Sequence, residues 1–168
     1  ASALKTSDGN PTELAYQLTP LVEYVHTASL IHDDIEDNAD MRRGMPCAHI
    51  SFGLDTAINA GSWLYFQAFT AIQKSTEDTK LKEILQELLS RELRRLHLGQ
   101  AMDIEWHKNN TSLPTSQEYM AMVRMKTGTL ASLAAQVGLM AGGGSPEEGE
   151  KIKKIAEKKE QNKAKYIT

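Results

Sequence analysis

The sequence predicts an all-α fold, a helical bundle around a central cavity. Three observations carry this expectation. Apolar residues recur at helical spacing in the long segments, as at Leu81, Ile84, Leu85, Leu88 and Leu89. Helix-opening signals punctuate the chain at Thr19-Pro20, Asp55, Thr115 or Ser116, and Ser145-Pro146-Glu147-Glu148. No stretch reads as a strand, and no repeat is visible. With 168 residues, 40% hydrophobic and 24% charged, the chain suits a single domain over 1–168 with room for a core.

Residues 1–10 are small and polar, and Asp8-Gly9-Asn10-Pro11 signals a turn. A short helix from about Thr12 to Leu18 precedes the main acidic helix, for which Thr19 is the expected N-cap and Pro20 the first position. Leu21, Val22, Val25, Ala28 and Ser29 form its apolar approach. Gly44 and Pro46 make a loop, and Asp55 is the expected N-cap of a helix from Thr56 to Lys74. Its aromatics Trp63, Tyr65, Phe66 and Phe69 could line a tunnel, with core packing the expected job for most. A long helix runs from about Asp78 to Lys108, broken by Asn109-Asn110 and Pro114. The next carries Met120, Val123 and Met125, and Lys126-Thr127-Gly128 is expected to kink it. The uncharged run Thr127–Ser145 reads as a buried helix with close contacts at Gly128, Ala131, Ala135 and Gly138, not a membrane span. Ser145 to Glu148 is a capping box opening a final helix, whose periodicity fades after Ile155 and Ala156.

The chemistry concentrates in Leu30–Gly44, where Asp33, Asp34, Glu36 and Asp37 fill four of five positions ahead of Arg42 and Arg43. At about 100° per residue, Asp33 and Asp37 share a helix face, with Asp34 between them and Asp40 almost in line. The bland alternative is a solvated acidic helix end. Acids near a helix C-terminus meet the negative end of its dipole, and like charges four apart repel. A divalent cation removes both penalties. Magnesium takes one or two carboxylates and completes its shell with water and substrate phosphates. Arg42 and Arg43 add guanidinium forks for the same anion or a neighbouring one. Metal and arginines together point to a diphosphate.

A net charge of −3 gives no basic field for nucleic acid. The single cysteine, Cys47, precludes an internal disulfide, fits a reducing, cytoplasmic setting and is expected to pack. No N-terminal signal with a basic start and apolar core is visible.

The segment from His32 to His49 resembles the first aspartate-rich motif, DDxxD followed by RRG, of the trans-isoprenyl diphosphate synthases. Gly99-Gln-Ala-Met-Asp-Ile104 resembles the family's GQxxDI, and Lys126-Thr-Gly128 its KTG. Three motifs in order are far more specific than one DDxxD, and the similarity spans about residues 11–157. It implies a magnesium-dependent, homodimeric prenyltransferase that condenses isopentenyl diphosphate with an allylic diphosphate. By the resemblance, Asp33, Asp34 and Asp37 hold magnesium. Arg42 contacts the allylic diphosphate and Arg43 that of isopentenyl diphosphate. Gln100 and Asp103 face the cavity, and Lys126 and Thr127 steady the leaving group. The competing reading is a buried hydrogen-bonded pair for Gln100 and Asp103, and a surface lysine for Lys126. His32 and His49 read as structural.

The family's tunnel runs back along the acidic helix, so Ala28 and Ser29, one turn before Asp33, bear on chain length. Being small, they favour a geranylgeranyl or longer product. Two family features are missing: an upstream Lys/Arg segment and a second aspartate-rich motif, since Asp103 is the last aspartate in the sequence. The sequence therefore reads as incomplete at both ends, with 158–168 unassigned. Two rivals are a class I terpene cyclase, which would not incorporate isopentenyl diphosphate, and a non-catalytic subunit or fragment of a heteromeric synthase.

Overall fold

The computed structural model describes residues 12–109 and 114–164. The expected turn at 8–11, Asn110, and 165–168 lie outside them. The all-α expectation holds, with six helices among the described residues: α1 Glu13–Glu36, α2 Ala48–Phe52, α3 Leu54–Ser75, α4 Thr79–Lys108, α5 Ser116–Ala141 and α6 Pro146–Ala164. A two-stranded antiparallel ladder, β1 Met41–Arg42 and β2 Met45–Pro46, follows α1 and corrects the reading of no strand.

The expected division into a short helix and an acidic helix does not occur. Helix α1 is continuous, Thr12 caps it by accepting from the Ala15 N–H at 3.1 Å, and Pro20 lies in its interior. Leu18, Leu21, Val25 and Ala28, at helical spacing, are all at most 1% exposed. Burial of that stripe outweighs the backbone hydrogen bond that proline cannot donate. The Thr12 hydroxyl also donates to the Ala141 carbonyl at 3.1 Å, tying the start of α1 to the end of α5.

Helix α3 begins at Leu54, not Thr56, and its N-cap is Gly53; Asp55 sits inside the first turn, where its carboxylate accepts from the Thr56 N–H. Asp78 caps α4 through the Lys80 and Leu81 N–H groups. Thr115 and Glu118 form a reciprocal capping box for α5, and Ser145 and Glu148 exchange the same pair of bonds at α6. Lys126-Thr127-Gly128 does not interrupt α5, which is continuous to Ala141. The helix instead stops at Gly142-Gly143-Gly144. Gly143 takes φ +84°, and Gly144 N–H reaches the Leu139 carbonyl at 3.0 Å. Helix α6 continues past the fading of its periodicity to Ala164.

Helix α1 packs on α3 and α5, and α5 lies between α4 and α6. The core gathers Leu18, Leu21 and Val25 of α1, Ile72 of α3, Leu85 and Leu89 of α4, and Leu133 of α5. Wholly buried Glu92 of α4 joins Arg91 at 3.1 Å, Arg95 at 2.8 Å and Lys153 of α6 at 3.4 Å. Arg95 reaches on to Glu157 at 2.6 Å. Through these ions α6 docks on α4 at a defined register.

Candidate functional site

The C-terminal end of α1, the second half of α4 and the middle of α5 converge, with Tyr65 of α3, on a cavity of about 270 Å³. Its polar mouth holds Asp33 and Glu36 of α1, Gln100 of α4, and Lys126 and Thr127 of α5. One helical turn from Asp33, Gln100 and Lys126 lie Ser29, Leu96 and Leu130, which also line it. The cavity thus runs from a charged mouth into apolar walls along the acidic helix.

Asp33 is the hub. Its carboxylate accepts from Lys126 Nζ at 2.9 Å, Gln100 Nε2 at 3.2 Å and Arg42 Nη2 at 3.4 Å. Lys126 also reaches Asp103 at 2.5 Å, so its ammonium bridges carboxylates from two helices. Burial works against that charge, but the hydrogen bonds to Asp103 and Asp33 outweigh it and raise the Lys126 pKa. Gln100 of α4 holds two carboxylates of α1, donating to Glu36 at 2.6 Å besides Asp33.

Asp34 points elsewhere. It is 5% exposed and accepts from Arg42 Nε at 2.7 and 2.9 Å, with Nη2 at 2.6 Å. Burial pushes its carboxyl up, but the hydrogen bonds from Arg42 and Cys47 prevail and hold it below the usual aspartate value. Cys47 is buried as expected, and its thiol is pushed up by that burial and by Asp34.

Arg42 reaches back to α1 because the chain reverses tightly after it. Arg43 and Gly44 form a two-residue loop with φ +53° and +80°, and Arg42 pairs with Met45. Positive φ at both loop positions is what a type I′ hairpin demands, and glycine accommodates it freely. Arg43 stands exposed at the tip. Asp37 caps the end of α1, its N–H bonded to the Asp33 carbonyl. Desolvation and then the Asp33 charge push its carboxyl up.

Of the residues expected to act together, Asp33, Gln100, Asp103, Lys126 and Thr127 meet at the mouth. Asp34 pairs with Arg42, which also touches Asp33, and does not line the cavity, while Arg43 stands apart. Ser29 lines the cavity, whereas Ala28 is fully buried. Among the aromatics, Tyr65 lines the cavity and Phe69 packs on the core, while Trp63 and Phe66 are 58% and 69% exposed.

The cavity also recruits residues the motifs do not mark. His26 lies seven residues before Asp33, which places it on the same helix face, so periodicity alone could have found it. Tyr65 stacks on His32 with ring centroids 5.6 Å apart and meets the His97 ring at a tilt, 5.0 Å away. No short-range pattern announces that contact across three helices.

Among the described residues no three His, Cys, Asp or Glu side chains converge as a metal cage. The donors at the mouth nevertheless suit magnesium, which needs only one or two protein carboxylates. Asp33 and Glu36 there offer hard carboxylate oxygens, the ligand type that magnesium prefers.

The polyprenyl synthetase family model matches residues 1–159. The chain is 39% identical over 137 residues to a short chain isoprenyl diphosphate synthase of Methanocaldococcus jannaschii, covering 82% of this chain and 41% of that protein. Its structure is similar to the geranylgeranyl pyrophosphate synthetase of Pyrococcus horikoshii, with a TM-score of 0.77 and 34% identity over 89% of this chain and 44% of that one. A geranyltranstransferase from Thermotoga maritima matches with a TM-score of 0.72 and 33% identity, over 88% of this chain and 57% of that one. The chain spans about two-fifths of the length of the Methanocaldococcus relative.

Proposed function

Since the chain belongs to the polyprenyl synthetase family, we propose that it carries the allylic-diphosphate half of a prenyl-elongating site, which condenses isopentenyl diphosphate with an allylic diphosphate. The observation that carries this reading is the Lys126 ammonium bridging Asp33 and Asp103 at the mouth of a cavity whose deeper walls are apolar.

Breaking the allylic C–O bond places negative charge on the departing diphosphate. Lys126 and Thr127 sit where a cation and a hydroxyl donor can receive that charge. Magnesium, when bound through Asp33 and Asp37 with Asp34 in support, supplies charge neutralisation of the diphosphate. Arg42 positions Asp34 and is within reach of the same anion, and Arg43 is free to meet the second diphosphate. Leu96 and Leu130 keep water from the prenyl chain, which protects a carbocation. Ser29 leaves the α1 wall open and supports a geranylgeranyl or longer product. Gln100 orients Asp33 and Glu36.

Ile58, Trp63 and Phe66 on α3 and Leu98 on α4 are exposed apolar side chains, and their cover by a second copy of the chain would account for them. No helix among the described residues is long and apolar enough to cross a membrane. The lone buried Cys47 supports a reducing, cytoplasmic location.

The test is incubation with labelled isopentenyl diphosphate, an allylic diphosphate and magnesium. Label in a longer prenyl diphosphate, lost in Lys126→Ala, is the expected result. If label fails to incorporate and magnesium pyrophosphate fails to bind, the proposal is wrong.

A further inference from the structure

At Gly99 the α4 backbone lies directly against that of α5. A Cβ there would lie 2.6 Å from the Lys126 backbone nitrogen, 2.7 Å from Met125 Cβ and 2.8 Å from the Met125 carbonyl carbon. Two of those neighbours are backbone, so no rotamer change can clear them. Restoring ordinary carbon contacts of about 3.5–4.0 Å would push the helices apart by roughly 1 Å. Gly99 is itself buried in mid-helix, where glycine is a poor helix former. Local propensity therefore does not account for it.

What the contact achieves lies on either side of it. Gln100, the next residue, holds Asp33 and Glu36. Asp103, one turn on, pairs with Lys126, the very residue whose backbone meets Gly99. The lysine thus leaves α5 where its backbone faces Gly99 and reaches both Asp103 and Asp33.

We infer that Gly99 is a positioning residue: by seating the α4 backbone on that of α5 it fixes where the Lys126 ammonium stands over the cavity. Its bearing on diphosphate binding rests on the function proposed above; its effect on Lys126 does not. Displacements of about 1 Å are enough to spoil a charged site.

The experiment compares Gly99→Ala with Gly149→Ala, a glycine of α6 where an added Cβ would meet Met140 Cε at an ordinary 3.5 Å. Acetic anhydride labelling without metal, read by mass spectrometry, follows the Lys126 amine. In the unmodified chain that amine is shielded between its two carboxylates. Gly99→Ala is expected to label Lys126 several-fold faster, and Gly149→Ala at the original rate. Calorimetric titration with magnesium pyrophosphate is expected to show about a tenfold loss in Gly99→Ala, the scale of one charge-assisted contact. Gly99→Ala combined with Lys126→Ala should then bind no worse than Lys126→Ala alone.

An unchanged labelling rate, or two losses that simply add, overturns the inference. So does loss of the helical circular dichroism signal in Gly99→Ala, which would make the glycine a requirement of the whole fold. If the unmodified chain does not bind pyrophosphate, the proposed function fails, while the labelling still decides the role of Gly99.

Discussion

Exchanging Glu92 for glutamine keeps its shape and removes the one anion that Arg91, Arg95 and Lys153 share. The side chain is wholly buried, so water cannot replace the lost charge, and the new amide NH₂ would face guanidinium donors. Removing one partner of a buried ion pair costs about 3–5 kcal/mol. Each cation here keeps a second anion: Arg95 has Glu157 at 2.6 Å, Arg91 has Glu150 at 2.9 Å, and Lys153 has Glu150 at 3.8 Å. That places Glu92→Gln at the lower end, about 3 kcal/mol. For a domain of this size each kcal/mol moves Tm by about 2–4 °C, so a fall of roughly 6–12 °C is expected. Glu157→Gln should cost less, about 1–2 kcal/mol, because Arg95 then keeps Glu92. Urea unfolding followed by circular dichroism, with an unchanged m-value, measures both. A Glu92→Gln midpoint within error of the original, or a larger loss in Glu157→Gln, would refute the argument that Glu92 holds the network together.

The two residues before the aspartates should part company: Ala28→Phe overfills a closed core and costs about 1–3 kcal/mol or more, whereas Ser29→Phe fills cavity space, leaves stability nearly intact and shortens any prenyl product. Thermal melts and product chromatography separate them. Arg42→Gln should cost about 2 kcal/mol at pH 7, read from the urea midpoint, because Asp34 loses its charge-assisted bonds. The sign follows from linkage. With its pKa depressed, Asp34 stabilises the fold above its ordinary value of 3.8, and this is lost as pH falls below 3.8 through the folded value. In Arg42→Gln burial acts with less opposition, so the difference between the two proteins should shrink on going from pH 7 to pH 3. Pro20→Ala restores a backbone donor within α1 and should raise stability by about 1–3 kcal/mol in the same urea assay.

The fold class and the charged mouth of the site were both legible in the sequence, because helical spacing and side-chain chemistry are local properties. The capping boxes at Thr115 and Ser145 were legible for the same reason. What misled was local preference overruled by packing. Thr19-Pro20 resembles a helix start, yet the buried stripe from Leu18 to Ala28 carries α1 through it. Asp55 resembles an N-cap, but the chain turns into α3 at Gly53. The hairpin at Arg43-Gly44 is only two residues deep on each side, too short for alternation to show. The helical wheel placed Asp34 between Asp33 and Asp37. It could not show that Arg42, returning through the hairpin, would draw Asp34 away from the cavity mouth. Tyr65 and His97 meet only in three dimensions and left no mark in the sequence.

Helix α4 carries two appointments on one rod. Glu92 keeps the first, with α6, and Gly99 the second, with α5. They lie seven residues apart, about 20° short of two full turns, so both face the same side of the bundle. A single residue inserted or deleted between them would rotate one against the other by about 100°. Loops of this protein are free to change length over evolutionary time, but within the stretch from Glu92 to Gly99 a length change would be nearly silent only in steps of about seven residues. Related sequences should accordingly align there without gaps, even where little else is shared.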